Sequence, residues 1–412
     1  MGLAELPLLL ALVGLAAYVV LGGADFGAGV WYLLLPGDRR RPLRDHTYRA
    51  MGPVWEANHV WLIFVLVVVW TAYPVAFGAI FSTLYVPLFA AALGTILRGT
   101  CYAMRGVVSG SREWVLGALF GASSLLTPFA LGAAVGGIAS ARVPVGNAAG
   151  DAIDSWLNPT SVLVGVLAVA TSSYLAAVWL TADAARAERE DLVAPFRTRA
   201  LAAGAVAGAV ALGGLFVMHS DAERIYDGLT SGSGLVGVAA SGAAGAATMI
   251  FVARRRLEPA RWSAAVAVGA IVAAWALAQQ PQLLPGLTVE QAAAGDATMV
   301  TLLVSMAIGA VILIPSLVLL FGLVIRGRFD ERPDQPGSLE RAGRGPVATG
   351  PPATERERPA GLAAAVCAAL GVPLTFFSDA GAPLALGVVL LLAATAAAFV
   401  VPKVALGDER DG

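Results

Sequence analysis

The chain has 412 residues, of which 58% are hydrophobic and only 13% charged, with a formal net charge of -1. That balance leaves too little polar surface to clothe a water-soluble globule, and the near-neutral charge, with its basic residues scattered through loops, excludes an electrostatic nucleic-acid binder. Cys101 and Cys367 are the two cysteines; they form no CxxC, CxxCH or four-cysteine set, which excludes a thiolate-built zinc, iron–sulfur or c-type haem site.

Long apolar runs without strand alternation predict an all-α integral membrane protein, because about 20 apolar residues in a helix cross a bilayer with every backbone group satisfied. The first residues include Glu5 instead of a basic stretch, and no small-residue cleavage site follows, so the N-terminus is read as retained in the first helix. Spans are predicted at 6–35, 53–73, 77–97, 114–138, 160–182, 200–218, 232–253, 262–279 and 298–325: a polytopic bundle of nine core transmembrane helices, forming a membrane domain over 1–325. A polar stretch at 326–359, rich in Pro, Gly, Arg and Glu, reads as a cytoplasmic disordered linker. Two further apolar segments, 360–377 and 382–401, suggest a two-helix membrane hairpin within 360–402, followed by a cytoplasmic tail at 403–412.

Orientation follows from the arginines, which short cytoplasmic loops retain. Arg39, Arg40, Arg41, Arg44 and Arg49 follow the first helix, Arg98, Arg105 and Arg112 the third, and Arg186, Arg189, Arg197 and Arg199 the fifth. Arg254, Arg255, Arg256 and Arg261 follow the seventh, and Arg326 and Arg328 the ninth. The alternate loops hold only Arg142 and Arg224 among several acids. The N-terminus is therefore placed outside, with the linker and C-terminus inside.

Ionisable side chains within spans cost about 2.5 to 3.5 kcal/mol each at a helix centre on insertion scales and so need a reason. Asp25 lies in GGADFGAG, where Gly23, Gly27 and their neighbours strip side chains away and let another helix or a ligand approach. It is either a functional group or an acid satisfied by a polar neighbour in a close-packed helix pair. In MGPVWEANHVW, Pro53 suits a first helical turn, and Glu56 and His59, three apart, share a face. Carboxylate, imidazole and the Asn58 amide could pass protons inward from the cytoplasm, with Trp55 and Trp61 as interfacial bulk. The bland reading of Glu56 is a helix cap favoured by the dipole. Arg98 ends the third span, where most arginines snorkel to the surface. His46 and His219 read as solvated surface histidines, and Ser123, Ser124, Thr127 and Pro128 as a kink with hydroxyls answering freed backbone groups.

GADFGAG in the first helix, GPVWEANHVWLI opening the second, and LRG at 97–99 after FSTLYVPLF together resemble subunit II of cytochrome bd-type quinol oxidases. The resemblance is specific over the first hundred residues and continues as topology through the ninth helix. Trp55, Glu56, Asn58 and Trp61 fall on the family's W-[DE]-x-N-x-x-W pattern, and Asp25 on its other acidic position. His59 stands where Glu or Gln is commoner, Ala57 where Gly is commoner, and Ala103 where many members carry an acid after the arginine.

The resemblance implies a heterodimer in the bacterial cell membrane with subunit I, which carries b- and d-type haems and the quinol site. The complex would oxidise quinol and reduce dioxygen to water. This chain would bind no haem or metal and hold no catalytic residue. It would scaffold subunit I, lend part of a proton route through Asp25, Glu56 and His59, and contact membrane lipid or quinone. A small single-helix accessory subunit is a further partner that the resemblance suggests. A proton-coupled secondary transporter is the rival reading, since such proteins also bury acids beside glycine-broken helices; they usually repeat that feature in both halves, and here it occurs only in the first.

Overall fold

The structure, a computed structural model, describes residues 2–34, 41–104 and 111–325, with positions 386, 389, 390 and 393 beyond them. The chain divides into a unit Met1–Ser316 and a unit Leu317–Gly412. In the second, the end of the last long helix and the four isolated positions are described, all helical. The linker and most of the terminal hairpin lie outside the described residues.

Twelve helices follow one another among the described residues: α1 (Leu6–Leu33), α2 (Arg41–Ala72), α3 (Pro74–Thr83), α4 (Tyr85–Met104), α5 (Ser111–Ala139), α6 (Pro159–Arg186), α7 (Glu190–Asp221), α8 (Glu223–Thr230), α9 (Gly232–Ala253), α10 (Leu257–Gln279), α11 (Val289–Ala292) and α12 (Asp296–Ile325). Seven of them are long and apolar enough to cross a membrane, and α2 makes eight if its two limbs form one span. The chain is a multi-pass membrane protein. The described residues thus stop short of the nine-span count; in α12 the apolar segment Asp296–Ile312 is shorter than a span.

Two of the departures from the predicted spans fall at prolines, while α7 also begins ten residues before its predicted start at 200. Helix α2 starts at Arg41, not near Pro53, and its limbs Asp45–Gly52 and Ala57–Ala72 meet at 49°. Pro53 therefore lies between the two limbs and not in a first turn, and a proline, which has no N–H to give the carbonyl four residues earlier, is a common place for a helix to bend. The span predicted at 77–97 is interrupted at Leu84, between α3 and α4. Pro87 is the cause we assign, since it cannot bond to Thr83 and so cannot continue α3.

Helix α1 is the hub, packing on α2, α5, α6 and α10, while α6 also packs on α5, α7 and α10. Glycines permit that closeness: a Cβ on Gly27 would lie 1.8 Å from the Ser172 carbonyl oxygen, and one on Gly23 would lie 2.8 Å from Leu175. The Trp31 indole locks the same contact by donating to the Ser173 carbonyl at 2.7 Å. At the opposite end from the arginine-rich turns, a two-stranded hairpin, β1 (Gln282–Leu284) and β2 (Leu287–Thr288), leads into α11. Its Leu284 and Leu287 pack with Tyr73, Ala76 and Leu84, so this loop closes over the α2–α4 junction. There, too, Arg142 grips both oxygens of Asp221 at 2.6 and 3.1 Å, and Asp221 accepts from the Thr160 N–H and hydroxyl, tying α6 to the end of α7.

Candidate functional site

Asp25 lies eight residues before the end of α1, about 12 Å deep at about 1.5 Å per residue. Its carboxylate is wholly buried, and so is Arg98 of α4. Arg98 does not snorkel. Its Nε donates to one Asp25 oxygen at 2.8 Å and its Nη2 to the other at 2.7 Å, a fork on a fork, and Nη2 also donates to the Asp25 backbone carbonyl. The remaining terminal nitrogen donates to Ser124 Oγ on α5 at 2.6 Å. Such planar two-point pairing is the strong form of the carboxylate–guanidinium contact, and it makes the pair electrically neutral inside the bundle.

Aromatic rings close the remaining sides. The guanidinium carbon lies 4.2 Å from the centre of the Phe120 ring, 5.0 Å from Phe26 and 5.5 Å from Tyr102, distances at which ring faces attract a cation. Tyr102 adds its hydroxyl, donating to Asp25 at 2.7 Å, and stacks on Trp55 at 4.9 Å. Asn58 donates to Asp25 at 3.4 Å. Helices α1, α2, α4 and α5 thus converge on one carboxylate. Gly29 makes this possible, because a Cβ there would lie 1.8 Å from Ser124 Oγ and 3.0 Å from Arg98.

Of the residues singled out in the sequence, Asp25, Arg98 and Asn58 meet directly, and Trp55 joins them through Tyr102. His59 is half-buried; its Nδ1 lies 2.7 Å from the Trp55 carbonyl oxygen and its ring packs edge-on against the Trp55 ring. A carbonyl can only accept, so Nδ1 is the donor in this contact. Trp61 touches Phe64 and stays outside this cluster. Gly23 and Gly27 serve the α1–α6 contact. Glu56 belongs to α2, but its side chain lies outside the described residues.

The sequence reading does not identify Tyr102 as a partner of Asp25 or Ser124 as a partner of Arg98. Ser124 had been read as a kink hydroxyl, and it does donate to the Phe120 carbonyl one turn back; only the packing of α4 on α5 reveals its second bond. Tyr102, four residues after Arg98, shares its helix face, a signal available in the sequence. His46 also departs from its reading as solvated: it is buried, with Nε2 3.4 Å from the Leu180 carbonyl oxygen and 3.6 Å from Asp183, because α2 extends far enough to lay it on α6. His219 is exposed against Tyr226.

The family model described as cytochrome bd terminal oxidase subunit II matches residues 3–324. The chain belongs to that family. One curated relative, cytochrome bd ubiquinol oxidase subunit 2 of Bacillus subtilis (strain 168), is 30% identical over 133 residues, 31% of this chain and 38% of the relative's length. Among solved structures, a chain of the bd oxidase from Geobacillus thermodenitrificans superposes with a TM-score of 0.62 at 24% identity, covering 80% of this chain and all of that one. That likeness establishes a shared fold for this subunit II member.

Proposed function

We propose that this subunit II forms a heterodimer with a haem-bearing subunit I in the bacterial cell membrane, and that the complex oxidises quinol and reduces dioxygen to water. Membership of the family over nearly the whole membrane unit is the observation that carries this reading. The haem chemistry is assigned to subunit I.

This chain's own part is to scaffold subunit I and to border a proton route from the cytoplasm. Glu56 and His59 lie near the bend of α2 and carry groups that exchange protons; Asp25 sits deeper, its oxygens engaged by Arg98, Tyr102 and Asn58, and it fixes the polar interior beside them. Two buried atoms close by, the Tyr18 hydroxyl and Asn58 Oδ1, have no hydrogen-bond partner among the described residues, an arrangement that buried water satisfies. A separate apolar cavity of about 800 Å³, bordered by Trp31, Leu126, Phe129 and Val166, suits a lipid or isoprenoid chain. The transporter reading has no support beyond the buried acid, which is neutralised by Arg98.

The deciding experiment is purification of the tagged chain in mild detergent with a reduced-minus-oxidised visible spectrum. A co-purifying haem subunit, with oxygen consumed on adding quinol, is the expected result. In that complex Glu56→Gln is expected to slow oxygen consumption about a hundredfold, the low end for losing a positioned proton-transfer group, with the haem spectrum unchanged. His59→Phe without loss of turnover would remove His59 from the route. A colourless chain purified alone from intact membranes would overturn the oxidase reading.

A further inference from the structure

On the side that the arginine distribution assigns to the cytoplasm, a shallow, open cavity of about 610 Å³ lies where α6 ends and α9 turns into α10. Arg186, Arg255 and Arg256 line it, with Glu258 as the one acid, and Ala182 and Leu257 among its apolar walls. The arginines are not equally neutralised. Arg186 pairs with Glu258 at 2.6 Å and Arg255 loosely with Glu190 at 3.5 Å, while among the described residues no carboxylate pairs with Arg256. The first turn of α10 has no side-chain cap, so its free N–H groups add positive potential on the same side.

We infer that this cavity binds the phosphate headgroup of an anionic phospholipid from the inner leaflet. Basic pockets between membrane helices on the cytoplasmic side hold such headgroups by charge and by guanidinium–phosphate hydrogen bonds. A lipid is preferred over a free anion because of what lies deeper on α10. Glu258, Trp262 and Val266 recur at four-residue intervals and share one face, on which Trp262 is 73% and Val266 58% exposed. That face gives an acyl chain an apolar path directly below the headgroup. Arg261, one turn into α10, lies over the Trp179 ring at 4.6 Å and reaches Glu258 at 3.7 Å, so Glu258 is already shared and Arg186 is only partly neutralised by it.

The test uses the full chain, purified with its native partners in mild detergent and stripped of lipid by exchange. Dioleoyl phosphatidylglycerol, dioleoyl phosphatidylcholine and inorganic phosphate are added separately, and bound lipid is counted by native mass spectrometry. The wild-type protein is expected to retain phosphatidylglycerol in preference to phosphatidylcholine. R186Q/R255Q/R256Q is expected to weaken that retention about tenfold or more, and E258Q to strengthen it. Equal retention of the two lipids by the wild type, or undiminished retention by the cavity variant, would overturn the proposal. Displacement of phosphatidylglycerol by inorganic phosphate at equal concentration would overturn it in favour of a free-anion site.

Discussion

Asp25 and Arg98 solve for each other the problem that each would pose alone. A buried charge in a bundle without bulk water is tolerable only when matched and fully hydrogen-bonded, and here the match uses both carboxylate oxygens. The consequence is asymmetric. Asp25→Asn strands the guanidinium among Phe26, Phe120 and Tyr102, and Arg98→Gln strands the carboxylate; each is expected to cost about 3–5 kcal/mol, the range for breaking a buried pair. The double variant D25N/R98Q leaves two neutral amides and is expected to be more stable than either single change. Thermal unfolding of the purified complex checks this, and additive losses in the double variant would refute the pairing. GGADFGAG made Asp25 visible in the sequence as an anomaly. Arg98 was not legible in the same way, because an arginine at the end of a span looks the same whether its side chain turns outward to water or inward to an acid 73 positions earlier.

Among the elements, glycines decide how closely α1 approaches its neighbours. Gly27→Ala drives a methyl group into the Ser172 carbonyl, backbone that cannot swing aside, so α1 and α6 must separate and the Trp31 bond to Ser173 is lost with them. Loss of folded protein, read as yield of monodisperse complex, is the expected outcome. Gly208→Ala in α7 is the control: a Cβ there meets nothing within 4 Å, and alanine's better helix propensity predicts no loss and a gain of up to about 1 kcal/mol. From composition alone the two glycines are alike. The predicted spans caught the helices as apolar runs but not the bend in α2 or the break at Leu84, since hydropathy continues through both and only the proline positions hinted at them.

At the scale of the whole molecule, the family match ends at residue 324, one residue before the end of α12. We propose that residues 326–412 are an addition to the family's membrane unit; a chain ended after Ile325 is then expected to assemble and turn over like the full-length protein, as oxygen consumption of the purified complex would show. The sequence by itself determined the solvent, the helical class and the family, because apolar runs of span length and a dense motif in the first hundred residues depend on local composition and order. Only the tertiary structure decided which polar groups meet. Asp25, Asn58, Arg98, Tyr102 and Ser124 come from four helices, and their contacts depend on helix rotation, on the bend of α2 and on glycine-permitted closeness. Those are properties of packed surfaces, and no single stretch of sequence carries them.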